Sequence, residues 1–257
     1  MINFLQKYLE NNNLFKIANK YQYKYNETKY FNLYKKFKVN YYIIRKKFNN
    51  QSLITLYVGA GITQISFLNN FLILNRNINK IKTIYNEIIF IIFNFDLIYI
   101  PFIKVIEEEK VLNNTIDIKY AINDILRKKS SKNIIKIILE INKESKYDMI
   151  DLMGVSFSGG LFTFIGQKKI LLIRNLILIE PAIFEGFTKK LYVSQIFLCW
   201  CKETKENNLE CIKFSKQLDN IIMVISDFSS KNISDKYITH RLQDSIFNIL
   251  YNMYYIT

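Results

Sequence analysis

Glycine, proline, cysteine and histidine are scarce in this chain, which has 7, 2, 3 and 1 of them among 257 residues. Half of the positions are hydrophobic and 15% are aromatic, so the chain lies far from the low-hydrophobicity, high-charge regime of disorder. The cysteines, Cys199, Cys201 and Cys211, fall in one short region with no histidine beside them. Structural zinc takes four N or S ligands at recognisable spacings. No metal is therefore expected, and the thiols are expected to stay free in a reducing compartment.

Carboxylates are also outnumbered, 22 against 36 Lys and Arg, for a formal net charge of +14. Such a balance raises the question of a nucleic-acid or anionic-membrane partner. The basic residues, however, are dispersed: Lys35-Lys36-Lys38, Arg45-Lys46-Lys47, Arg127-Lys128-Lys129, Lys168-Lys169 and Lys189-Lys190 lie far apart, mostly at the ends of apolar runs. That distribution is expected of a solvated surface. No nucleic-acid partner is expected, and contact with a membrane surface, though open, is not indicated by charge alone.

Further absences narrow the class. The amino terminus, Met1-Ile2-Asn3-Phe4-Leu5-Gln6-Lys7, lacks a basic segment followed by an apolar core and a small-residue cleavage site, so no secretory signal is expected and the protein is expected in the cytoplasm. The apolar stretch from Ile88 to Ile106 is interrupted by Asn94, Asp96, Pro101 and Lys104 and reads as a buried strand followed by a turn rather than a membrane span. No GxxxxGK segment occurs, and Gly59-Ala60-Gly61 is followed by Gln64 where a dinucleotide loop needs a third glycine. No cofactor is expected.

What is present is an alternation of short apolar runs with helical patterns, the mark of a mostly parallel sheet covered by helices on both faces. The runs Leu53–Val58, Ile88–Phe93, Met149–Met153, Leu176–Ile179, Gln195–Trp200 and Ile221–Ile225 are continuous rather than alternating, as expected of strands buried on both faces. Helices are expected over Ile65–Leu74, Ile116–Ile141, Gly159–Leu172, Leu209–Leu218 and Gln243–Tyr254. Ahead of them, the first 20 residues read as a short helix, with Phe4, Leu5, Tyr8 and Leu9 on one face, and Tyr30–Phe37 with Val39–Lys46 as an amino-terminal β-hairpin. The length fits one domain: residues 1–50 form the helix and hairpin, and 51–257 the core.

Five of the 7 glycines occupy two loops: Gly59 and Gly61 after the first core strand, and Gly154, Gly159 and Gly160 around Ser156. A serine at the tip of a strand-to-helix turn takes a strained backbone, and small residues two before and two after it let strand and helix approach. Tyr147 to Met153 supplies the strand, Ser156 the tip, and Gly159 onward the helix. With Gly154-Val155-Ser156-Phe157-Ser158, the chain resembles the α/β-hydrolase family, whose nucleophile elbow is GxSxG. Ser158 stands where the family has its last glycine. The resemblance runs from about Ser52 to the carboxyl terminus.

The resemblance implies a fold and a set of roles. Ser156 is the implied nucleophile. His240, the only histidine, is the implied base, after the last strand and before the terminal helix. The acid stays open: Glu203 comes first and Glu206 second, Asp227 applies if one strand is miscounted, and Glu180 if the acid follows the preceding strand, as in some members. The oxyanion would face the backbone N–H of Ala60 or Gly61 together with that of Phe157. A histidine often precedes the glycine after the first core strand in the family; here Val58 takes its place.

The implied reaction is acyl transfer from a small ester or thioester, including one borne on a carrier protein, through an acyl-enzyme. The connection from Pro181 to Gln195 leaves little room for a large lid, which resembles compact esterases and thioesterases. The alternative is a non-catalytic member of the same fold, acting as a binding or structural module with Ser156 merely capping the next helix. Ser158, Val58 and the undetermined acid motivate it.

Overall fold

The computed structural model describes residues 16–25, 37–49, 51–60, 77–95, 130–143, 149–155, 157–169, 171–181, 190–201, 216, 220–226 and 245–253. Its strands are β1 (Lys16–Tyr25), β2 (Phe37–Lys47), β3 (Ile54–Ala60), β4 (Glu87–Phe95), β5 (Met149–Val155), β6 (Ile173–Ile179), β7 (Val193–Cys201) and β8 (Ile221–Ser226). Among the described residues the helical runs are α1 (Ile78–Ile84), α2 (130–143), α3 (Phe157–Gly166) and α4 (245–253), and Lys216 is helical as well.

All strands join one 8-stranded sheet in the order β1-β2-β4-β3-β5-β6-β7-β8. The β1–β2 and β2–β4 pairs are antiparallel, and every pair from β4 to β8 is parallel. The carboxyl ends of β3 to β8 therefore share one edge, the carboxyl edge, where open α/β sheets bind their ligands. Their amino ends share the opposite edge, the amino edge.

The apolar strands explain the layering. Along β6, Leu176 and Leu178 face one core with Ile134, Ile137, Ile138 and Ile141 of α2 and Leu161, Phe162 and Ile165 of α3. Ile177 and Ile179 face the other core with Ile81 and Ile84 of α1 and Ile246, Phe247 and Leu250 of α4. Successive strand residues point to opposite faces, so a continuous apolar run is what two cores require.

The expected sheet, its cover on both faces and the amino-terminal hairpin are all present, but two boundaries differ. The hairpin's first strand is Lys16–Tyr25 in place of the expected Tyr30–Phe37, whose last residue opens β2, so residues 16–20 belong to a strand and not to the expected helix. Tyr21, Tyr23 and Tyr25 alternate with Gln22 and Lys24, a period of two that outweighs any helical stripe there; residues 1–15 and 26–36 lie outside the described residues. Helix α3 ends at Gly166, short of Leu172, because Leu171 and Leu172 lead into β6. Helix α1 was not expected, although Ile78, Ile81 and Ile84 recur every third residue; Ile81 and Ile84 are buried. Of the other expected helices, 65–74 and 116–129 lie outside the described residues, and 209–218 is described only at Lys216. Among the described residues, no helix is long and apolar enough to cross a membrane.

One buried charge ties the sheet together toward the amino edge. Asp151 on β5 is fully buried. It accepts hydrogen bonds from Arg174 Nε at 2.9 Å, Asn175 N at 3.1 Å, Asn175 Nδ2 at 2.8 Å and Tyr85 OH at 2.8 Å, and pairs with Arg174 Nη2. These partners come from β6 and from the turn between α1 and β4, so one carboxylate links three elements. Removing it takes the ion-pair partner from a largely buried guanidinium. Asp151→Ala is expected to cost about 3–5 kcal/mol, a large part of the roughly 5–15 kcal/mol that holds a domain folded. Urea unfolding followed by circular dichroism measures it, and a loss below about 1 kcal/mol, the net worth of a single ordinary hydrogen bond, would contradict this account.

Candidate active site

At the carboxyl edge β5 ends at Val155 and α3 begins at Phe157, so a single position, 156, separates strand from helix. A chain that reverses over so short a step brings the first turn of α3 down onto the strand. An ideal Cβ on Gly154 would lie 2.6 Å from both Gly159 N and the carbonyl carbon of Ser158, closer than real side chains come. One on Gly159 would lie 2.8 Å from Pro181 Cβ and 3.1 Å from Gly154 O. Gly154 and Gly159 are thus glycines because backbone and the buried Pro181 occupy the space.

Ser158 is the informative departure from the family pattern. It is fully buried, and its Oγ lies 3.0 Å from Gly59 O, 2.7 Å from Val155 O and 3.1 Å from Val155 N. The Val155 N–H donates to it, and its one proton is shared between the two carbonyls. The hydroxyl thereby fastens the end of β3 to the end of β5 on either side of position 156. Room for its Cβ comes from Gly59, where a side chain would begin 2.7 Å from Ser158 Cβ and 3.0 Å from Phe162 Cζ. Sequence reasoning treats Ser158 as a weakened motif; the signal it misses is the side-chain-free position at Gly59.

This pairing predicts a double-mutant result. Gly59→Ala is expected to cost about 1–3 kcal/mol by overpacking, and Ser158→Gly about 1–3 kcal/mol by removing a buried hydroxyl whose partners stay behind. Combined, the two are expected to cost less than their sum, by about 0.5 kcal/mol or more. Thermal unfolding of the four proteins measures this; strict additivity would mean that the two positions do not compete for space.

Glu180 directly follows β6. Its φ is 43°, the left-handed region that costs a non-glycine residue roughly 1–2 kcal/mol, and its N–H donates to Cys199 O at 2.9 Å. The buried Cys199 thiol is held well above the ordinary range by desolvation first and by the Glu180 carboxylate second. The thiol therefore stays protonated at neutral pH, within the core that Cys199 shares with Ile246, Phe247 and Leu250 of α4.

The other expected site residues divide by what is described. Ala60 ends β3 and Phe157 opens α3, both at the carboxyl edge beside position 156. Ser156, Gly61, Glu203, Glu206, Asp227 and His240 lie outside the described residues. Their neighbours place the chain positions: 203 comes two residues after β7, 227 one residue after β8, and 240 between β8 and α4. Among the described residues no group of His, Cys, Asp and Glu is arranged to hold a metal ion.

No family model matches the chain, and no curated protein sequence does. Solved structures do match in shape. An alpha-beta serine hydrolase homologue from Coxiella burnetii superposes with a TM-score of 0.53 at 11% identity, over 93% of this chain and 99% of that one. A dienelactone hydrolase from Anabaena variabilis gives 0.50 at 12% identity, again over 93% and 99%. At such identity the likeness speaks for the fold alone, which is that of the α/β hydrolases.

Proposed function

From an α/β-hydrolase fold whose fifth strand passes into a helix across one residue, we propose that the protein is a serine hydrolase that cleaves a carboxylic ester or thioester through an acyl-enzyme on Ser156. The observation that carries this reading is the glycine-packed step Gly154–Gly159, where strand passes to helix across one position, as a nucleophile elbow requires. The Phe157 N–H, at the first position of α3, has no acceptor within its own helix and is available to a developing oxyanion, together with that of Ala60 or Gly61.

In this mechanism the Ser156 hydroxyl gives its proton to His240 as Oγ bonds to the carbonyl carbon. The resulting oxyanion takes hydrogen bonds from the backbone donors, each worth about 3–4 kcal/mol in the transition state. Collapse breaks the bond to the alcohol or thiol, which leaves with the proton held by His240. Water, deprotonated by the same imidazole, then releases the carboxylic acid and restores the serine.

We assign the acid first to Glu203. Two hydrogen bonds and an imidazole separate a serine oxygen from the acid by roughly 8 Å, and β7 runs about 10 Å from β5, two strand spacings away. Glu203 follows β7 by two residues, which is why it comes first. Glu180 is the competitor, because its left-handed backbone is a strained outlier of the kind that clusters at functional sites and it directly follows β6 at the carboxyl edge. Glu206 and Asp227 rank behind both. The substrates are small acyl esters or acyl-thioesters, with carrier-borne acyl chains among the thioesters.

The test is labelling with a fluorophosphonate probe. Wild-type protein should be labelled and Ser156→Ala should not. Absence of wild-type labelling, or equal labelling of both, ends the enzymatic reading and leaves a binding module on this fold.

A further inference from the structure

Folding gathers at the amino edge several lysines that look dispersed along the chain. Lys47 ends β2 opposite Glu87, the first residue of β4. Lys143 ends α2, Lys168 and Lys169 follow α3, and Lys190 precedes β7; all five are exposed. Among the described residues of this edge the one exposed carboxylate is Glu140, since Glu87 is buried against Arg45. In the same connections the sequence adds Lys146 and Lys189 against Glu144, Asp148 and Glu185, so the positive excess rests on the five described lysines.

Among these lysines stand large apolar side chains that the fold leaves outside. Leu172 is 62% exposed, Leu53 57% and Tyr192 43%. Two of these backbones are tied to the fold: Leu172 O accepts from Ile150 N of β5 at 3.1 Å, and Tyr192 N donates to Gly166 O, at the end of α3, at 2.7 Å. Leu171, by contrast, is buried. The exposed leucine is thus presented from a rigid start of β6, not from a swinging loop.

We propose that this edge docks on an anionic lipid bilayer. Lysines near a negatively charged membrane surface each contribute to binding, and leucine with an aromatic partner gains by entering the headgroup–acyl boundary. A nucleic acid would answer the charge but not the leucines, and its typical readers, arginine forks and stacked aromatics, are not what this edge offers: among its described, exposed residues the cations are all lysine. With strands of seven residues, β3, β5 and β6 hold this edge about 20 Å from the carboxyl edge. The docked protein would keep position 156 turned away from the lipid.

Co-sedimentation of the full chain with vesicles tests the proposal, using phosphatidylcholine alone and phosphatidylcholine mixed with phosphatidylserine. Binding is expected to the mixed vesicles only, and to weaken as salt is added. Lys168→Gln with Lys169→Gln is expected to lower partitioning about twenty-five-fold, at about fivefold per lysine, and Leu172→Ser about tenfold. Circular dichroism melts identify any variant that fails to fold, in which case Lys190→Gln, expected to lose about fivefold, takes its place. No binding to mixed vesicles, equal binding to both compositions, or full binding by Leu172→Ser would overturn it. So would tighter binding to duplex DNA than to mixed vesicles at the same salt, which would make the edge a nucleic-acid surface.

Discussion

Alanine at Ser156 is expected to lower kcat on an ester or thioester substrate by about a millionfold, alanine at His240 by a similar factor, and the double variant by no more than either alone. The reason is that nucleophile and base act in one event: without the imidazole the hydroxyl is a poor nucleophile, and without the hydroxyl the imidazole has nothing to activate. A residual rate would persist from substrate binding and the backbone donors, which do not depend on either side chain. Steady-state kinetics on p-nitrophenyl esters and acyl-coenzyme A thioesters supply the measurement. Effects that multiply, so that the double variant falls as the product of the singles, would mean that the two residues do not work as a pair.

The acid is expected to separate just as sharply. Glu203→Gln is expected to reduce kcat by about ten-thousandfold, because an amide orients the wrong imidazole tautomer and cannot stabilise the imidazolium, while Glu180→Gln leaves kcat within a few fold. The reverse outcome would move the acid to the end of β6 and give the strained backbone at Glu180 (φ 43°) a catalytic purpose. If neither variant falls, Asp227 and Glu206 are next. The pH profile of kcat/KM discriminates a true acid from a merely structural carboxylate, since loss of the acid shifts the limb set by His240.

The architecture was readable in advance because its strands are continuous apolar runs. Six of them, from Leu53 to Ile225, match β3 to β8 in place and order, and no half-exposed strand could carry such runs without presenting isoleucine to water. The hairpin was harder. Tyrosine alternates with Gln22 and Lys24 only in the second half of β1, and so short an alternating aromatic and polar stretch carries little information until a partner strand fixes its face. α1 was missed because 7 residues give barely two turns in which to see a period.

The site was legible as a set of glycines. Gly154 and Gly159 marked the step from strand to helix, where contacts below 3 Å leave no room for a side chain. The role of Ser158 was not legible, since its hydroxyl bonds to Gly59, 99 residues away, and spacing along a chain says nothing about a contact made across a sheet. The acid stayed ambiguous for a related reason: four carboxylates follow strands along the sequence, and only the path of the chain between strands selects among them.

The exchange of volume between Gly59 and Ser158 reaches beyond this one chain. In any descendant, a Cβ gained at the first position demands the loss of the Cβ at the second, so the two are inherited as a unit. Two residues so distant in the gene should then change together in a set of related sequences, alanine appearing at 59 only where glycine has returned at 158.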